Sequence, residues 1–205
     1  MRDKLIGTIC LTLGIIIIVT TGTSFAYFTT SVEGQGTITG TIMDFDVDLK
    51  VETIYEANQL IPLDDSLIST AVNNECVDSK GYQVCSLFKI TLTNNGEPIL
   101  LNGHITSTDE TTYTTDHLKG QLFNEGLTSS ISTVTTLTNT EGKQYFKIDD
   151  TNLYSTKVIT TNIIYLAVWL KEIDGYQNAD YDKDYIGKIA FESIDGQEIS
   201  ATFGA

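Results

Sequence analysis

The stretch Asp44-Phe45-Asp46-Val47-Asp48-Leu49-Lys50-Val51 alternates without a break, with Phe45, Val47, Leu49 and Val51 apolar and a charged residue between each pair. A side-chain period of two belongs to a β-strand with one dry face and one wet face. A second stretch, residues 158–170, says what surrounds it. There Ile163, Tyr165, Ala167 and Trp169 interleave with Ile164, Leu166, Val168 and Leu170. A strand that is apolar on both faces has to be covered on both, so it is predicted to be central, with Trp169 in the core.

Outward from these two strands the same period recurs. Phe88, Ile90 and Leu92 precede the turn Asn94-Asn95-Gly96-Glu97-Pro98, and residues 99–105 read as the returning strand. Residues 118–123 and 145–148 are shorter candidates. Ile189 and Phe191 run through Asp195-Gly196 into Ile199, Ala201 and Phe203, a hairpin pattern. Residues 128–140 are rich in Ser and Thr, with Ile131, Val134 and Leu137 three apart; a loop, a twisted edge and a poor helix all fit. One helix is expected over 63–72, with Asp64 or Asp65 as its N-cap. There is no internal repeat. Short strands separated by turn signals predict an all-β protein, an antiparallel β-sandwich with one or more short helices.

The 205 residues carry a formal charge of -15, and the one arginine, Arg2, lies at the N-terminus. A chain this acidic repels phosphate backbones, which argues against a nucleic-acid partner. Residues 1–26 read as a hydrophobic signal helix: Arg2 and Lys4, then an apolar run from Leu5 to Val19, then Ser24-Phe25-Ala26. Ser24 and Ala26 occupy the small positions of a cleavage site, so the mature chain is expected to begin at Tyr27. Retained, the same segment is a membrane anchor; cleaved, it leaves a secreted single domain, residues 27–205, that meets the membrane only before processing. Cys10 departs with the signal. Cys76 and Cys85 flank the turn Asp78-Ser79-Lys80-Gly81, and an even pair in an exported chain predicts a disulfide.

Little reads as catalytic chemistry. His104 and His117 have no spacing that makes them a metal pair or a catalytic pair, and no nucleophile–base motif is visible. The chain is therefore read as a non-enzyme that requires no cofactor. The best ligand candidate is the loop Asp174–Asp184. Its Asp180, Asp182 and Asp184 alternate as in calcium loops, although Tyr185 replaces the expected Gly and Phe191 the expected Glu. Calcium is thus the one metal considered, against a plain solvated loop.

Residues 22–30, Gly-Thr-Ser-Phe-Ala-Tyr-Phe-Thr-Thr, and 39–45, Thr-Gly-Thr-Ile-Met-Asp-Phe, resemble the start of the TasA/camelysin family of exported Gram-positive proteins. The resemblance covers residues 22–45; beyond them it is architectural. It implies a jelly-roll-like sandwich, export through a SipW-type signal peptide, and a place on the cell surface or in a biofilm matrix, in some members as fibres. Camelysin-like members imply a surface metalloprotease, for which this sequence has no metal-binding motif. The leading expectation is a structural protein whose partners are copies of itself or other matrix and surface proteins. Tyr27 and Phe28, ahead of Gly34 and Gly36, suggest that residues 27–40, chiefly 27–33, serve as a donor strand for the next subunit. A monomeric adhesin or ligand-binding module is the alternative.

Overall fold

The structure is a computed structural model that describes residues 38–42, 45–57, 60–137, 142–175 and 177–204. The chain divides into two units between Gly34 and Gln35, and every described residue belongs to the second. The signal segment, its cleavage site at Ser24, Ala26 and Tyr27, and the assembly residues Tyr27 and Phe28 lie outside the described residues.

The described chain is an all-β sandwich of two antiparallel sheets with one short α-helix. The first sheet is formed by β1 (Ile38–Ile42), β2 (Phe45–Tyr55), β3 (Cys85–Asn94), β9 (Thr161–Leu170), β5 (Leu118–Asn124) and β6 (Thr135–Thr136), in that spatial order. The second runs β11 (Glu198–Gly204), β10 (Ile186–Ser193), β4 (Ile99–Ser107), β7 (Gln144–Tyr145). A further strand, β8 (Ser155–Val158), shares the outer edge of β4 with β7, pairing with Ile99–Asn102 while β7 pairs with His104 and Ile105.

The alternation of β2 is cashed in between the sheets. Val47, Leu49 and Val51 are buried with Phe88, Ile90 and Leu92 of β3 against Leu101, Ile105, Ile189, Phe191, Ile199 and Phe203 of the facing sheet. The doubly apolar strand is β9, and it is central, with β3 on one side and β5 on the other. Its Ile164, Leu166, Val168 and Leu170 enter the inter-sheet core. Ala167 and Trp169 enter a second cluster on the other face, with Ile68, Ala71 and Val72 of the helix α1 (Ile68–Asn73) and the cysteines Cys76 and Cys85. The predicted helix is thus shorter than 63–72. Residues Asp65–Leu67 form a 3-10 turn first, and Asp64 caps that turn by accepting from the Ser66 N–H at 2.8 Å. The Trp169 indole N–H donates to Asp65 Oδ1 at 2.9 Å, so the buried ring keeps its polar edge satisfied.

Cys76 and Cys85 are disulfide-bonded, with Cα atoms 5.0 Å apart. The turn between them is held by Asp78, whose Oδ1 accepts from the N–H groups of Lys80 and Tyr82, and by Gly81 at φ +86. Such a bond persists in oxidising compartments. Among the described residues no helix is long and apolar enough to cross a membrane.

Candidate functional site

The outer face of the second sheet carries the polar side chains of β4, β10 and β11. Register places Asn102, Glu192 and Glu198 in one row across these strands, and His104, Ala190 and Ser200 in the next, with Tyr145 of β7 beyond His104. Ala190 sits directly opposite His104, and Tyr145 packs against the imidazole with ring centroids 5.1 Å apart. His104 and Ala190 are each 1% exposed.

Two carboxylates lie close to the imidazole. Glu198 Oε2 lies 3.4 Å from His104 Nε2. Glu192 and Glu198 are directly opposed across β10 and β11, a like-charge pairing that is unfavourable alone. The Lys143 ammonium bridges them, 2.9 Å from Glu192 Oε2 and 2.8 Å from Glu198 Oε2. The Tyr145 hydroxyl donates to Glu192 Oε2 at 2.7 Å, and Lys188 lies 3.3 Å from Glu198 Oε1.

The titration behaviour follows from these contacts. Burial pushes the His104 imidazole below its ordinary value, against the pull of Glu198. The Lys143 and Tyr145 hydrogen bonds hold the Glu192 carboxyl below its usual range. For Glu198, burial pushes upward, but the Lys143 hydrogen bond and the nearby His104 and Lys188 outweigh it, and the net direction is down. Two carboxylates bonded to Lys143 raise its ammonium above the ordinary lysine value. One ligand atom from each of His104, Glu192 and Glu198 fits within 4.8 Å of the others; among the described residues no other set of three His, Cys, Asp or Glu side chains converges this closely.

The second polar region is a cleft of about 800 Å³ beside the acidic loop. Glu56, Glu110, Asp180, Asp182 and Asp184 line it with one cation, Lys183, and the rings of Tyr113 and Tyr185. Asp180 is 4% exposed, and its carboxylate accepts from the Thr115 hydroxyl and meets His117 Nδ1 at 2.7 Å. His104 and His117 therefore each have a carboxylate partner of their own.

The structure does not bring Asp180, Asp182 and Asp184 together as one calcium ligand set. The 3-10 turn Asn178–Asp180 turns Asp180 inward to Thr115 and His117, Asp182 sits at φ +57 in solvent, and the three carboxylates do not converge. A spacing of two puts side chains on one face only in extended backbone, and this loop is not extended throughout. The convergent set was missed in the sequence because its members come from strands far apart along the chain. The available signal was the alternation of β4, which puts His104 on the polar face with Asn102 and Thr106.

No family model matches the chain, and no curated protein matches it. Among solved structures, a DUF4426 family protein of Pseudomonas aeruginosa PAO1 is similar at 10% identity over 83% of this chain and 93% of that one, with a TM-score of 0.30. AvmM, which catalyses macrocyclization in alchivemycin A biosynthesis, is 9% identical over 82% of this chain and 95% of its own, with a TM-score of 0.34. The collagen-binding subdomain of the Enterococcus faecalis surface protein ACE is 5% identical over 58% of this chain and 84% of its own, with a TM-score of 0.21. At these scores the likenesses carry no functional argument, and none bears on the resemblance of residues 22–45.

Proposed function

We propose that this is an exported structural protein of the cell surface or biofilm matrix, a subunit that joins its neighbours by strand addition at an open edge of the sandwich. One observation carries the reading. β11 ends the second sheet, and among the described residues no strand is hydrogen-bonded to its side away from β10. An edge strand of seven residues, Glu198–Gly204, has alternate N–H and C=O groups that no described strand takes up. The predicted donor, residues 27–33, has the matching length and begins with Tyr27-Phe28. Residues 38–40, the end of the longer segment 27–40, already pair in their own sheet with Val51, Lys50 and Leu49, so the donor is confined to residues before them. A head-to-tail contact of this kind does not close and grows a filament. The disulfide and the TasA/camelysin resemblance are consistent with export.

A chain beginning at Tyr27 and one beginning at Gly34 test the reading by electron microscopy and light scattering. The longer one should polymerise; the shorter one should keep its circular dichroism spectrum and stay monomeric. Filaments from the shorter chain would sink the donor role of residues 27–33. The acidic cleft favours one second reading, a surface module for a cationic ligand such as a basic peptide. Saturable binding of oligolysine by the monomer, lost in Asp184→Asn, would support it.

A further inference from the structure

We propose that His104, Glu192 and Glu198 form a binding site for a divalent transition-metal cation of the zinc type, entered when the Lys143 ammonium moves out to solvent. Three observations carry this independently of the assembly reading. First, the chemistry of the donors is right: one imidazole nitrogen and two carboxylate oxygens suit zinc, and the nitrogen disfavours calcium and magnesium. Second, the spacing is that of ligands. His104 Nε2 and Glu198 Oε2 are 3.4 Å apart. A charge-assisted hydrogen bond would draw them to about 2.7–2.9 Å. The edge of a tetrahedron built on metal–ligand bonds of ~2.0 Å is roughly 3.3 Å. Third, the imidazole is fixed in place: it is 1% exposed, Tyr145 packs against it, and Nε2 is the nitrogen that meets Glu198.

Lys143 is the competitor. It is paired with both opposed carboxylates at the point where a cation is needed, so a metal must displace it; its side chain is 38% exposed, and the displaced ammonium reaches solvent. A metal there replaces one positive charge by two and ties together β4, β10 and the edge strand β11. Three protein ligands leave a fourth position for water. The role inferred is binding and cross-linking of strands, with no reaction attached.

The test is calorimetric titration of zinc chloride into the full-length protein, stripped of metal by a chelator, at neutral pH. One zinc per chain is expected, with no heat from calcium or magnesium. Glu198→Gln alters a partly exposed carboxylate and should preserve the fold by circular dichroism; it should weaken zinc binding at least about tenfold, as should His104→Gln. Lys143→Met removes the competing ammonium and should tighten binding by about tenfold, or about 1.4 kcal/mol. A purely structural ion network predicts no zinc binding in any variant. In proton spectra zinc should move the ring signals of His104 and leave those of His117 in place. No binding at millimolar zinc, binding unchanged by Glu198→Gln, weakening in Lys143→Met, or movement of His117 alone would each overturn the proposal.

Discussion

Tyr113 and Tyr185 show how much one ring's surroundings matter. They are 4% and 1% exposed, and burial raises both phenols from 10.0 to about 12, helped at Tyr113 by the charges of Asp180 and Asp184. The unfolded chain gives up these protons first. Their stabilisation is therefore complete below pH 10.0 and is lost as the pH climbs through about 12. Ultraviolet titration should show Tyr113 and Tyr185 among the late-ionising tyrosines, with unfolding setting in above pH 10.0. All tyrosines ionising together near the ordinary value, with the fold intact, would contradict this. At this scale the sequence was only partly readable. Trp169 was assigned to the core from its strand alone. The partners of His104 were not assigned, because cross-strand neighbours depend on register, which no single strand carries.

Among the elements, the stretch from α1 to β3 is the one held by a covalent bond. The cysteines are 9 apart in sequence, and closing so short a loop is expected to stabilise by ~2–3 kcal/mol, chiefly through the unfolded chain. Urea titrations with and without reductant should differ by about that amount, while the circular dichroism of the native state stays the same. A difference near zero would mean that Ile68, Ala71, Val72 and Trp169 hold the segment without the bond. The long strands β2, β3, β9, β10 and β11 were legible because burial on one or both faces writes a period into ten or so residues. Residues 128–140 were not, since among the described residues there only Thr135–Thr136 pair as a strand, too short to leave a period. The predicted strand over 145–148 is likewise only Gln144–Tyr145, because the chain then crosses to pair Lys147 with Leu153 as an isolated bridge.

At the scale of the whole molecule, the edge of β11 that no described strand occupies gives the proposed assembly a direction. The Ser193 N–H donates to the Gln197 carbonyl at 2.8 Å, which sets Ile199, Ala201 and Phe203 as the residues bonded to β10. Ser200 and Thr202 then turn their backbone groups to the open side. Thr202→Pro removes one outward N–H at a position where an edge strand tolerates proline. Filament growth should stop while the monomer stays folded, and Thr202→Val, which keeps the N–H, should assemble normally. Filaments from the proline variant at the normal rate would move the contact to another edge.

The place of β9 also sets an order in time. Its partners, β3 and β5, are made first, but neither can be joined to the other until residues 161–170 exist to lie between them. The facing sheet waits longer still, for β10 and β11 over residues 186–204. During synthesis at roughly 5–20 residues per second, the first five strands stay without a sandwich for many seconds. On the proposed export reading, a chain threaded N-terminus first through a narrow membrane channel would meet the same delay. It would stay without its sandwich until residues 186–204 are through, and would close on the far side, where the two cysteines can be oxidised.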